Sequence, residues 1–238
     1  MTDNRRILLL NGSPKTERSN TLRVAKAFLS GFPESASVER IDLYRSDIQP
    51  CRGCFSCWGS SAGHCVIPDD MEKNLAAVRR SDIIILSFPL YFFGMPSQVK
   101  AFLDRCLPLM KPYQGNASDS RPSFHTLRDE SLKEKHFVVI SSCGFVSAEE
   151  QYQPLKKQLD LLLGREKYTT LFCPEGELFV VPQPIRQRER YLEDIKKAGA
   201  EFSEHLLLTE QTKKKIAMPM LSPRGFEAVT AEHWLSLH

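Results

Sequence analysis

Arg6-Ile7-Leu8-Leu9-Leu10-Asn11-Gly12-Ser13-Pro14-Lys15-Thr16-Glu17-Arg18-Ser19-Asn20-Thr21 decides the fold. Its first part, Ile7 to Leu10, is a continuous apolar run, as in strands buried on both faces of a parallel sheet. A Gly-Ser-Pro turn follows, and Ser19-Asn20-Thr21 opens a helix whose apolar positions Leu22, Ala25, Phe28 and Leu29 fall at helical spacing. A strand, a polar turn and a helix N-terminus aim backbone N–H groups and the positive helix end at an anion. The side chains of Ser13, Ser19, Asn20 and Thr21 add donors, and Lys15 and Arg18 add charge. The G-x-x-x-x-G-K-[ST] and G-x-G-x-x-G spacings are both missing. A phosphate monoester held by hydroxyl and amide donors suits this loop. The plainer alternative is a βα turn capped by Ser19.

The same alternation continues outward. Strands are expected near Val38–Leu43, Asp82–Ser87, His136–Ser141 and Lys167–Cys173. Helices are expected from Pro68-Asp69-Asp70-Met71, from Pro96, over Glu149–Leu163 and over Gln187–Leu208. Five strands each followed by a helix define an α/β, doubly wound, five-stranded parallel sheet of order 2-1-3-4-5, of the flavodoxin type. One domain over 1–211 with an extension over 212–238 is the expected organisation. That extension reads as an extended tail ending in a short helix, and as a candidate subunit contact. Lys111 to Lys135, rich in Ser, Asp and Pro, reads as a long loop beside the site.

Composition sets limits. The chain has 238 residues, 42% hydrophobic and 26% charged, with a net charge of +3. That excess is too small for the dense basic face of a nucleic-acid binder, and Lys213-Lys214-Lys215 reads as a solvated helix end. No apolar run approaches the 7–15 residues of a secretory core or the ~20 of a membrane span. A cytoplasmic protein with no membrane or nucleic-acid partner is expected. Seven cysteines are present, and four crowd together as Cys51-x2-Cys54-x2-Cys57-x7-Cys65. In a reducing compartment such a group reads as metal or redox chemistry.

A second motif follows the third strand: Ser87-Phe88-Pro89-Leu90-Tyr91-Phe92-Phe93-Gly94-Met95-Pro96-Ser97-Gln98-Val99-Lys100-Ala101-Phe102-Leu103-Asp104-Arg105. It lies where ligands bind in open α/β sheets, outside the carboxyl ends of the strands. Pro89, Gly94 and Pro96 would shape a loop whose N–H groups face a flat ring, with Leu90 and Met95 among its binding residues and Tyr91, Phe92 and Phe93 as its wall; core or subunit-contact roles are the alternative for these aromatics. Lys100, Asp104 and Arg105 read as a charge-paired helix end. A third loop, Ser142-Cys143-Gly144-Phe145, would reach the ring's other side. Cys143 reads there as a packing residue, since no His is placed to pair with it.

The phosphate loop and the Ser87–Arg105 stretch resemble the NAD(P)H-dependent FMN reductases and their iron–sulfur flavoprotein relatives, and together with the cysteine loop the resemblance spans most of residues 6 to 145. The resemblance implies FMN held by Ser13, Lys15, Arg18, Ser19, Asn20 and Thr21, with its ring between the Pro89–Met95 and Ser142–Phe145 loops. It implies NAD(P)H as cosubstrate, hydride transfer to the flavin, and onward transfer to a quinone, aromatic or similar small acceptor. A homodimer or homotetramer is implied too. The flavin carries the chemistry, so no acid–base residue is assigned.

The cysteine loop stays open between three states. Cys51, Cys54, Cys57 and Cys65 suit a [4Fe-4S] cluster, as in the iron–sulfur flavoproteins. Cluster-free oxidoreductases resemble the Gly53–Trp58 segment as well, and in them the loop holds thiols or a disulfide. Zinc is the third option. Beside the enzyme stand a one-electron carrier like flavodoxin, usually smaller and strongly acidic, and a non-enzymatic redox sensor built on the cysteine loop.

Overall fold

The computed structural model describes residues 4–114 and 125–236. Five parallel strands form the central sheet: β1 (Arg6–Asn11), β2 (Ser37–Asp42), β3 (Ile83–Pro89), β6 (His136–Ser142) and β7 (Tyr168–Cys173). Their order is β2-β1-β3-β6-β7, which is the expected 2-1-3-4-5 once a small separate hairpin is counted. The helices are α1 (Asn20–Leu29), α2 (Met71–Arg80), α3 (Ser97–Asp104), α4 (Gln153–Leu163), α5 (Ile185–His205), α6 (Glu210–Ala217) and α7 (Pro223–Leu235).

Strand periodicity sorts the side chains into two cores. Ile7, Leu9, Ile83, Ile85, Val138 and Ile140 pack under α1 and α5 with Leu22, Phe28, Ile195 and Phe202. Leu8, Leu10, Ile84, Leu86, Phe88 and Val139 pack on the opposite face with Leu75, Val99, Phe102, Leu155 and Leu159. Helices α1 and α5 touch almost backbone to backbone: a Cβ on Gly199 would lie 1.8 Å from the Phe28 carbonyl oxygen. The strand ends at Asn11, Pro89, Ser142 and Cys173 therefore open on one edge of a rigid sandwich, and the site loops leave from there.

Two stretches depart from the sequence reading. Within the region expected to be one loop, β4 (Met110–Gln114) and β5 (His125–Leu127) pair antiparallel, and a 3-10 turn covers Glu130–Glu134. This hairpin is short and irregular in register, so it leaves little alternation in the sequence. Its middle, 115–124, lies outside the described residues. The extension, expected as an extended tail ending in a short helix, has the terminal helix, α7, but helix α6 stands where extended chain was expected. Ile216 of α6 is buried in the core under α5, and Phe226 of α7 packs with Leu178 and Val181. The Tyr191 hydroxyl donates to the Ile216 carbonyl at 3.0 Å, so α6 is fixed by polar as well as apolar contact. Among the described residues, no helix is long and apolar enough to cross a membrane.

Candidate functional site

The phosphate-loop residues converge at the end of β1. Gly12 N–H donates to the Ser87 carbonyl at 2.8 Å, tying the turn to β3. Ser13 is buried, and its hydroxyl accepts from Lys15 N–H at 3.3 Å. Ser19 caps α1, accepting from Leu22 N–H at 3.1 Å. Among the described residues the backbone N–H groups of Asn20 and Thr21 have no acceptor. The first turn of α1 carries no acidic residue, and Lys15 and Arg18 are exposed beside it. The nearby Glu17 carboxylate is occupied by Arg40 and Lys26, and those cations hold its pKa down at about 2. The positive end of α1 is thus uncompensated and faces open donors, which fits a phosphate.

Two of the expected donors are spent inside the protein. Thr21 and Ser142 share a buried hydroxyl–hydroxyl bond of 2.5 Å, joining α1 to the end of β6. The Asn20 amide donates to the Gly176 carbonyl at 2.9 Å, and its Oδ1 is buried without a partner. Thr21 and Asn20 therefore hold loops together with their side chains and are left to offer an anion their backbone N–H.

The ring-wall loop is a tight hairpin. Tyr91 and Gly94 exchange two backbone hydrogen bonds of 2.9 and 3.1 Å, with Phe92 (φ 46°) and Phe93 (φ 62°) between them. Both central residues have positive φ, as in a type I′ turn, a conformation that favours Asn and Gly. Phe92 is fully exposed, while Phe93 stacks on Phe145 of the third loop with centroids 5.9 Å apart. Leu90 N–H donates to the Ser142 carbonyl at 2.8 Å, so the second and third loops are also bonded. Leu90 and Met95 lean on the core rather than outward, and Pro89 ends β3. Cys143 packs into that core too, and burial pushes its thiol pKa up; only its backbone is left to line the site.

A fourth loop, after β7, escaped the sequence reading. Gly176 N–H donates to the Cys143 carbonyl at 2.7 Å and Glu175 N–H to the Phe145 carbonyl at 2.8 Å. Glu175 is wholly buried, accepts from the N–H groups of Met220 and Leu221, and its other carboxylate oxygen has no partner. Burial lifts its carboxyl pKa, against the pull of those two N–H groups. Glu177 lies against Gly144 and accepts from the Trp234 indole at 3.1 Å. The C-terminal helices thus brace the third loop. No local motif marks this, because Glu175 and its partners lie about 45 positions apart.

Four cysteines meet at one cavity. Cys51, Cys54, Cys57 and Cys65 line it with Phe55, Ile67, Asp104 and Arg105. All four are free thiols, Cys57 buried and Cys51 and Cys54 exposed. Burial, then the neighbouring Cys65, raises the Cys57 pKa. Hydrogen bonding to Ser56 lowers that of Cys54. The loop is braced by the unexpected hairpin: the Trp58 ring packs on His125 at 4.7 Å, and its indole donates to the Leu107 carbonyl at 3.1 Å. Among the described residues no three of His, Cys, Asp and Glu are grouped to hold a metal ion. The thiols surround a shared space instead. That is a donor set for a larger sulfur-ligated cluster, in which each thiolate meets its own iron.

Arg105 was expected to be a charge-paired helix end, and Lys100 and Asp104 do pair, at 2.5 Å. Arg105 turns inward instead. It is 1% exposed and forms a two-pronged pair with Asp69 at 2.7 and 2.9 Å. Burial alone would raise the Asp69 carboxyl; Arg105 and the N–H groups of Gln49 and Met71 outweigh it and hold the pKa low.

A polar turn and open helix end after β1, bonded to an aromatic hairpin after β3 at the switch point of a doubly wound sheet, belong to a flavodoxin-like α/β protein. The model of the flavodoxin-like fold family matches residues 5–178, and the chain belongs to that family. An iron–sulfur flavoprotein of Methanocaldococcus jannaschii is 35% identical over 109 residues, 46% of this chain and 55% of that protein. An FMN-dependent NAD(P)H:quinone oxidoreductase of Pseudomonas aeruginosa is 27% identical over 152 residues, 58% of this chain and 68% of that one. The chain spans about half the length of the iron–sulfur flavoproteins it matches. Among solved structures, an FMN-dependent NADH-azoreductase from Bacillus anthracis superposes with a TM-score of 0.60. It is 19% identical, over 84% of this chain and 99% of that one, a likeness of fold.

Proposed function

We propose that this chain is an FMN-dependent oxidoreductase that draws reducing equivalents from NAD(P)H and passes them to a quinone, azo-aromatic or similar flat acceptor. The observation that carries this reading is the bonding of three loops around one open helix end: Thr21 to Ser142, Ser142 to Leu90, and Phe93 against Phe145. The names of the matching quinone oxidoreductases and of the azoreductase point the same way. FMN, when bound, supplies the two-electron exchange between nicotinamide and acceptor.

The protein's part is to hold and orient. The N–H groups of Asn20 and Thr21 and the Ser13 and Ser19 hydroxyls receive the phosphate, with Lys15 and Arg18 adding charge. The Pro89–Met95 and Ser142–Phe145 loops border the ring. Tyr91, Phe92 and Phe93 present an exposed apolar wall suited to flat substrates and to the contact surface of a homo-oligomer. Cys143 is packed in the core, where burial raises its thiol pKa, which suits a packing role. Seven free cysteines among the described residues suit a reducing cytoplasm.

A second reading adds a [4Fe-4S] cluster at Cys51, Cys54, Cys57 and Cys65. It is favoured by four free thiols around one cavity and by the names of the relatives that match at 35% identity. Anaerobic purification, an absorption spectrum, iron and sulfide assays and NAD(P)H oxidation with a quinone test both readings. Flavin bands with turnover and no iron would leave the first standing alone. About four irons per chain would add the second. A colourless protein that takes up no FMN on reconstitution would refute the central reading.

A further inference from the structure

Arg105 is the one buried guanidinium at the cysteine cavity, and its surroundings are asymmetric. On one side Asp69, itself wholly buried, takes both Nη atoms, and the Gln49 carbonyl accepts from Nη1 at 2.7 Å. On the other side Nε is a buried donor without a partner, and Arg105 lines the same cavity as all four cysteines. Leaving a charged donor unsatisfied in a dry interior is costly. The Asp69 pair alone would satisfy a helix end; it does not account for a buried donor left over on a residue that lines the cavity of the four cysteines.

We infer that Arg105 is a positioning residue for the cysteine cavity, and that its guanidinium, fixed from behind by Asp69, donates to the Cys65 sulfur and raises the reduction potential of a [4Fe-4S] cluster held there. This rests on the cluster reading above. The physical reason is charge. One-electron reduction adds a negative charge to a cluster that four thiolates already make anionic; Arg105 lines the cavity and its partner Asp69 does not, so the nearer guanidinium and its hydrogen bond to sulfur favour the reduced form. Of the four cysteines lining the cavity, Cys65 is the one that interacts with the guanidinium.

The test compares the wild-type protein with Arg105→Lys and with the double variant Arg105→Gln/Asp69→Asn. The double variant removes the guanidinium without stranding a buried carboxylate. Each protein is reconstituted anaerobically with ferrous iron and sulfide. Iron and FMN are counted, thermal unfolding is recorded, and the cluster is titrated with dithionite as electron donor under EPR observation. The double variant is expected to keep its iron while its potential falls by about 59 mV or more, a tenfold change for a one-electron couple. Arg105→Lys, which keeps the charge and loses the planar fork, is expected to fall by a smaller step. If the double variant loads no iron, the lysine variant decides alone: a fall in its potential supports the inference and an unmoved potential overturns it. A cluster whose potential is unmoved, whatever happens to thermal stability, would reduce Arg105 to a structural ion pair and overturn the inference. A wild-type protein that takes up no iron would instead overturn the cluster reading beneath it.

Discussion

Replacing Phe92 by Asn should stabilise the folded protein. Phe92 occupies the left-handed region with φ 46°, in the first central position of the Tyr91–Gly94 hairpin. A bulky L-residue there costs roughly 1–2 kcal/mol, of which Asn recovers a large part through its short polar side chain. The usual offset, loss of buried apolar surface, is absent because Phe92 is 101% exposed. The net is about 1 kcal/mol in favour of Asn, or ~2–4 °C in Tm for a domain of this size. Phe92→Val supplies the opposite sign, since a β-branched residue fits positive φ worst. The assay is thermal unfolding of the cofactor-free protein at low concentration, with both variants beside the wild type. A fall in Tm for Phe92→Asn would refute the reasoning, because it would mean that Phe92 is buried by something, such as a second copy. With FMN present, the same variant is expected to raise the KM for a flat acceptor. A strained and exposed aromatic would then be retained for binding at the expense of stability.

Three further outcomes follow from the geometry. Thr21→Val deletes one partner of the buried bond to Ser142, so it should cost about 1–3 kcal/mol and weaken FMN binding in equilibrium dialysis, whereas an exposed change such as Lys26→Ala should do neither. For Glu175, whose pKa is raised by burial, the folded chain keeps a proton that the unfolded chain has already released; stability therefore falls as pH climbs from the usual carboxylate range to the folded value. Glu175→Gln should flatten that slope in a pH series of chemical denaturation, and Glu175→Ala should lose about 2 kcal/mol by leaving the Met220 and Leu221 N–H groups without an acceptor. Gly199→Ala should be the most damaging single methyl: its Cβ would meet the Phe28 carbonyl at 1.8 Å, forcing α1 off α5, and both soluble yield and FMN occupancy should drop.

The sheet was legible because its strands are buried on both faces. Runs such as Ile7–Leu10 and Ile83–Leu86 have no other economical reading, and the helices between them carry regular apolar spacing. Legibility failed where structure rests on few residues. Helix α6 is anchored by Ile216 within a lysine-rich segment, so its pattern is too sparse to announce a helix. The β4–β5 hairpin pairs Met110 with Leu127 and Gln114 with His125 across polar sequence. The site divided in the same way. The three candidate loops could be proposed from local motifs, but not which donors the protein would consume itself. That Thr21 spends its hydroxyl on Ser142, that Arg105 turns from the helix end to Asp69, and that Glu175 receives Met220 all depend on partners remote in the chain. Pairings of that kind leave no periodic signal.

The bonds that close the phosphate cradle join residues very far apart: Thr21 to Ser142 across 121 positions, and Asn20 to Gly176 across 156. Contacts of such high order form late, since each must first overcome the entropy of closing a long loop. A peptide carrying residues 6–21 would hold the whole motif and yet be unable to grip a phosphate ester, because its helix end would fray with nothing to brace it. On the function proposed above, cofactor capture is a property of the finished tertiary structure. Variants scattered far from the flavin loops, in α5 or α7 for instance, should surface first as a loss of colour.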